Sequence, residues 1–208
     1  KTKAKPQPRA KADKLLQAML SVAAFDGWTQ TALEQAAKSA DITEAELKTI
    51  YPHGVRDAVA AFSAAGNAAM LATIREEKLF ARMRVRDKVA FAVRTRLEQL
   101  TQHREAMRQL CLWYALPHHA PDAMRNLASL CDAIWRATGN DSDDFNFYTK
   151  RALLAYVIKT TTLFWLGDDS KDYAATWDFL DRRIAEVLQL GKAAGHLRDL
   201  PNHLGQLG

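Results

Sequence analysis

The feature that most constrains this 208-residue chain is the stretch from Ala152 to Leu166, in which Lys159 is the only charge. Its apolar residues fall on every side of a helical wheel, and a helix that is apolar all round belongs inside a core. The rest of the chain is expected to fold around it. Just before it lies a knot of acidic and hydroxyl residues, Asp141 to Asp144. Such side chains start helices, because they satisfy orphan N–H groups and complement the helix dipole. Phe145, Phe147 and Tyr148 then crowd into the first turn, spread over about 300° of the wheel. One core-facing side cannot take all three, so part of that aromatic surface is left for a partner.

The remaining pattern is helical throughout, with no alternating strand signal. Residues 1–9, KTKAKPQPR, are basic and proline-broken and read as a disordered arm. From Lys11 the apolar positions Leu15, Leu16, Met19, Leu20, Val22 and Ala23 repeat at helical intervals until Gly27. Short helices follow, one from Thr29 or Thr31 to Ser39 and one from Glu44 to Ile50, stopped by Tyr51-Pro52-His53-Gly54. Longer helices are expected at Val55–Phe80, Val85–Leu100, Arg104–Leu116, Pro121–Thr138, the central stretch and Tyr173–Leu190. The expected fold is all-α, a three-helix helix-turn-helix head over 10–54 followed by a larger bundle over 55–192. Residues 193–208 form a tail in which leucines at helical spacing compete with Gly195, Pro201 and Gly205.

Charge narrows the partners. The net charge is +5, and two segments, 1–14 and 75–108, each carry a surplus of that size. A basic surface of this kind suits phosphate on a membrane or a nucleic acid. Arg82, Arg84 and Arg86 are the candidate membrane contacts. No apolar run approaches the roughly 20 residues of a membrane span, the central helix being the longest candidate. The two cysteines, Cys111 and Cys131, have no metal or redox spacing and read as free thiols of an intracellular, soluble or peripheral protein.

Catalytic and metal motifs are missing. His118 and His119 are adjacent, lie between prolines and have no further ligand at helical spacing, which argues against a metal site. No nucleophile–base constellation or glycine-rich phosphate loop stands out, so neither an enzyme nor a cofactor is expected. The candidate recognition segment Asp41–Tyr51 opposes Asp41, Glu44 and Glu46 to Lys48 alone. A net-negative helix is repelled by the phosphates it would have to approach, so specific DNA reading is not expected.

The three-helix head, with Gly27-Trp28-Thr29 and the stop Tyr51-Pro52, resembles the TetR family of repressors. LPHHAP (116–121), the helix end from Trp135 to Gly139, DSDDFNFYTKR (141–151) and DDSKDYAATWDFLDRRI (168–184) resemble the ubiquinone-biosynthesis accessory protein family, which is TetR-like in fold. That resemblance implies a non-enzymatic homodimer with a pocket for isoprenoid lipid or phospholipid. It also implies a working partnership with the di-iron demethoxyubiquinone hydroxylase, peripheral to the inner mitochondrial or bacterial cytoplasmic membrane. On that reading Leu153, Tyr156, Val157, Phe164 and Trp165, with Leu112, Trp113 and Leu116, are the candidates to line the lipid pocket. Trp135, Asp144, Phe145, Phe147, Tyr148 and Arg151 form the candidate partner surface, since aromatics and arginine dominate interface hot spots. The competing reading is a TetR-type regulator whose apolar cavity holds an effector.

Overall fold

A computed structural model describes residues 8–139 and 146–198, with side chains from 9 to 139 and from 149 to 189. The described residues are helical, without strands: α1 (Pro8–Asp26), α2 (Gln30–Ser39), α3 (Glu44–Ile50), α4 (Val55–Glu76), α5 (Val85–Leu100), α6 (Arg104–Ala115), α7 (Ala120–Thr138), α8 (Asn146–Leu166) and α9 (Ala174–Arg198). Short single turns of tighter helix join several of them. Residues 1–7 of the expected disordered arm and the end of the tail fall outside the described residues, as do Asp141 to Asp144 and Phe145, while Pro8 and Arg9 begin α1 instead of ending a disordered arm.

Local chemistry accounts for the boundaries. Gly27, at φ 72°, follows α1 in the left-handed conformation that a side chain would resist. The Thr29 hydroxyl then accepts the Ala32 N–H at 3.1 Å and opens α2. Thr43 and Glu46 cap α3 reciprocally. Glu46 is held at about 2 by its hydrogen bond from Lys11, helped by Thr43. Pro121 occupies the first turn of α7, where its missing N–H costs nothing.

Buried side chains from every helix join one core. The stripe Leu15, Met19 and Ala23 of α1 is fully buried, and α1 packs against α2, α4 and α6. The Trp28 indole donates to the Ala106 carbonyl at 2.9 Å, which ties the loop after α1 to α6. α4 lies on α5 and α7, and α8 lies between α7 and α9.

Four expectations need correction. First, α8 is not enclosed on all sides: Val157 and Trp165 are buried, but Tyr156, Leu163 and Phe164 are exposed. The apolar surplus of α8 thus lies partly on an outer face, where Phe164 stacks on Phe179 of α9 with centroids 4.5 Å apart. Second, α4, not α8, is long and apolar enough to cross a membrane by length and composition. Alanines create that signal, and Val59, Phe62, Met70 and Ile74 turn the helix toward the core. Third, α4 stops at Glu76 rather than Phe80, and Phe80 opens a separate short turn. Fourth, α9 continues through Gly191 and Gly195 to Arg198; each glycine costs a helix only about 1 kcal/mol, less than the expected break requires.

A candidate binding cavity with a buried arginine

Between α4, α5, α6, α7 and α8 lies a cavity of about 420 Å³. Its volume falls in the range of about 300–1,000 Å³ typical of small-molecule sites. Phe62 and Ser63 come from α4, and Val93, Arg96, Leu97 and Leu100 from α5. Met107, Leu110, Cys111, Tyr114 and Ala115 come from α6, and Ala123, Met124, Asn126, Leu127, Leu130 and Ile134 from α7. Ile158, Lys159, Thr162 and Leu163 of α8 complete the wall. Ala115, Met124, Lys159 and Leu163 are exposed, so they form the rim through which the cavity meets solvent.

The helix periods explain why these side chains converge. On α6 the positions 107, 110, 111 and 114 make one stripe at three- and four-residue spacing. On α8 the positions 158, 159, 162 and 163 do the same. None of the eight residues expected to line a lipid pocket lies on this wall. Leu112 and Leu116 point outward, Trp113 is buried under His119 with ring centroids 3.4 Å apart, and Trp165 is buried elsewhere in the core. Tyr156 and Phe164 are on the outer face of α8, Val157 is buried off the wall, and Leu153 is half-buried off it. The expected residues and the cavity wall share α6 and α8 but lie on stripes about one residue apart on each.

The wall's polar groups are few. Tyr114 accepts a hydrogen bond at its hydroxyl from Asn126 at 2.8 Å, and burial pushes its pKa upward. Burial likewise raises the Cys111 thiol, which keeps it neutral. Arg96 is the charged group held inside. Burial pulls its pKa down to about 10, only partly offset by the nearby Tyr114 phenol, so it stays charged at neutral pH. The sequence carried a signal for it that went unread. Val89, Val93, Arg96 and Leu100 follow one helical stripe, and an arginine stands where that stripe calls for an apolar residue.

The other expected sites are placed in part. Trp135 is half-buried with its indole N–H lacking an acceptor, and Arg151 pairs with Asp132, so these two lie near the α7–α8 junction. Asp144 and Phe145, and the side chains of Phe147 and Tyr148, lie outside the described residues. Arg82, Arg84 and Arg86 are exposed, but Asp87 accepts from both Arg84 at 2.8 Å and Arg86 at 3.0 Å. His119 has an evident structural role as the ring stacked on Trp113.

Three comparisons bear on this architecture. A family described as COQ9 matches residues 120–191, which span α7 to most of α9. The human "Ubiquinone biosynthesis protein COQ9, mitochondrial" is 29% identical over 199 residues, covering 93% of this chain and 62% of that protein. The protein of the same name from Drosophila melanogaster is 33% identical over 180 residues, covering 85% of this chain and 55% of its own length. The chain therefore spans about six tenths of the length of these relatives. Among solved structures, the TetR transcriptional regulator from Nitrosomonas europaea ATCC 19718 aligns with a TM-score of 0.66 at 18% identity. That match covers 86% of this chain and 99% of the regulator, and at such identity it is a likeness of fold. Residues 120–191 thus match the COQ9 family, and nearly the whole chain is similar to that family's curated members, on a TetR-like fold.

Proposed function

We propose that this chain is a non-enzymatic lipid-binding accessory protein of ubiquinone biosynthesis. In this reading it presents isoprenoid quinone intermediates to the demethoxyubiquinone hydroxylase at the membrane. The observation that carries the reading is the cavity: apolar on most of its wall, open at one rim, and of a volume suited to part of a prenyl chain. Its ionisable wall residues, Cys111, Tyr114, Arg96 and Lys159, include no nucleophile paired with a base, which favours carriage over catalysis. The relatives' names supply the pathway. Organic extraction of the purified chain followed by mass spectrometry tests it. A co-purifying prenylated quinone or precursor is expected, and a chain that carries no lipid and takes none up from vesicles would overturn the reading.

Three partner surfaces belong to the same proposal. Trp135, Asp144, Phe145, Phe147, Tyr148 and Arg151 are assigned to the hydroxylase. Replacing Phe147 and Tyr148 together by lysine is expected to abolish its co-purification, an anchor pair being worth about 2 kcal/mol or more. A folded double variant with undiminished affinity would remove that site. The exposed apolar residues Tyr156, Leu163 and Phe164 on α8 suit a self-complementary homodimer face. Light scattering should give twice the chain mass. The basic turn between α4 and α5 is assigned to anionic membrane, which places the protein peripherally at the inner mitochondrial or bacterial cytoplasmic membrane.

The TetR-like head keeps a regulator as the second reading, and its charges weigh against it. Lys48 pairs with Glu44 at 2.7 Å, Lys14 with Asp41 at 3.0 Å, and Lys11 with Glu46. The bases near α3 are thus engaged with acids rather than left for phosphate. Saturable, sequence-dependent gel shifts at physiological salt would favour the regulator instead.

A further inference from the structure

Arg96 has an environment unlike that of any other base on the cavity wall. As a whole residue it is only 8% exposed. Its guanidinium lies against Gly66 of α4, where an added Cβ would fall 2.2 Å from the central carbon, so glycine keeps open the space it occupies. Another neighbour is the ring of Phe62, with the centroid 5.9 Å away, and the Tyr114 phenol is near enough to act on its charge. Nε is buried without an acceptor, and no ion pair among the described residues involves the group. An arginine presents five N–H donors and cannot shed its charge at neutral pH. Burying it without a counter-charge is costly, and removing the guanidinium from water has already been done before any ligand arrives.

We propose that Arg96 anchors the oxyanion head of a single-chain amphiphile whose apolar tail runs through the cavity toward the rim at Met124 and Leu163. This rests on the lipid-binding reading above and adds to the ligands the cavity would take one with an acidic head, which a neutral quinone ring lacks. A ligand anion entering here meets a charge already desolvated, so the hydrogen bonds it makes are charge-assisted and short of competing water. The Tyr114 hydroxyl and the Asn126 amide, already joined to each other, stand on the same wall as further polar partners. Lys159 is the other base on the wall, but it is exposed at the rim. A hydrated ammonium there gains little from an ion pair. The apolar remainder of the wall, with Met107, Leu127 and Leu130 among its residues, has no polar demand and suits an alkyl or prenyl tail.

The test is calorimetric titration of the delipidated full chain with palmitate and with methyl palmitate, which share a tail and differ in the charge of the head. Palmitate is expected to bind at least about tenfold more tightly, the scale of one charge-assisted hydrogen-bond pair. Arg96→Met is expected to erase that preference while retaining ester binding. Inorganic phosphate, an oxyanion without a tail, is expected not to displace palmitate at equal concentration. Equal binding of acid and ester by the unmodified chain would overturn the anchor and leave the lipid cavity standing. Binding of neither would overturn both. A preference that survives Arg96→Met but disappears in Lys159→Met would move the head to the rim and overturn the assignment, as would displacement by phosphate alone. The comparison of acid with ester in the unmodified chain decides the matter even where Arg96→Met does not fold.

Discussion

Asp168 shows how much one carboxylate can fix. It is buried in the turn between α8 and α9, and burial by itself would raise its pKa. Hydrogen bonds from Thr176 and Ser170 outweigh that and hold it at about 2. One oxygen accepts the Ser170 N–H at 2.8 Å and the other the Thr176 N–H at 2.9 Å, closing the first turn of α9. Asp172 and Tyr173, both at positive φ, sit inside this turn, a strained backbone that needs such bracing. Because the folded pKa is depressed, the stabilisation is present above the ordinary carboxylate value and is lost as pH falls from about 4 toward 2. The shift corresponds to about 2 kcal/mol. Asp168→Asn should therefore cost about that much in urea unfolding at pH 7. The gap between variant and parent should close near pH 2; a gap independent of pH would mean the carboxylate charge is not what matters.

Residues of this kind were partly legible. The acids Asp168 and Asp169 ahead of a helix can be read from the sequence, but the pairing of Asp168 with Thr176, eight residues on, cannot. Arg96 was missed for a related reason. Its spacing to Val89, Val93 and Leu100 put it on the buried stripe, yet it was read with the neighbouring arginines as surface charge. A base flanked at three- and four-residue spacing by apolar residues is the pattern that separates a buried arginine from a solvated one.

At the scale of elements, the sequence located helices well and rotated two of them wrongly. The turn chemistry at Gly27, Thr29, Thr43 and Gly139 set boundaries directly, because each residue acts on its own backbone. Facing direction is different, since it depends on what packs from outside. On α6 and just after it, Leu112 and Leu116 are apolar but exposed, whereas Cys111 and Tyr114, less apolar by composition, face the cavity. A direct comparison follows. Cys111→Phe adds a ring to the cavity wall and should reduce co-purified lipid severalfold, with overpacking costing about 1–3 kcal/mol. Leu112→Phe, at a position 60% exposed, should leave lipid content unchanged and stability within about 0.5 kcal/mol. The reverse ranking would place the lipid on the other face of α6. The C-terminus of α8 adds an element-scale device. Arg104 donates to the carbonyls of Trp165 at 2.9 Å, Leu166 at 3.1 Å and Asp168 at 2.8 Å, so a cation sits at the negative end of the helix. Arg104→Ala should destabilise by about 2–3 kcal/mol in thermal or urea unfolding, and a change below about 0.5 kcal/mol would show those carbonyls to be satisfied by water.

Across the whole molecule, the basic surplus of residues 75–108 does not make one face. Arg96 is inside the cavity wall, Arg104 and Arg108 cap α8, and Arg94 pairs with Glu98 at 2.7 Å. What remains outward is concentrated where α4 ends and α5 begins, at Arg75, Lys78, Arg82, Arg84 and Arg86. Leu79, 59% exposed, and Val85, 47% exposed, stand among these bases. Exposed apolar side chains ringed by cations match an anionic lipid surface, where the bases meet headgroups and the apolar tips enter the boundary region. Each base near such a surface contributes about 1 kcal/mol. The contributions here should be unequal, because Asp87 already offsets part of the charge of Arg84 and Arg86, whereas no ion pair among the described residues involves Arg82. Reversing Arg82 alone to glutamate should therefore weaken sedimentation with phosphatidylserine vesicles more than reversing Arg84 or Arg86 alone. Reversing all three should also flatten the salt dependence. Leu79→Ser should weaken binding without changing that salt dependence, since it removes apolar contact and no charge. Equal binding by the triple variant and the parent chain would take this turn out of any membrane mechanism.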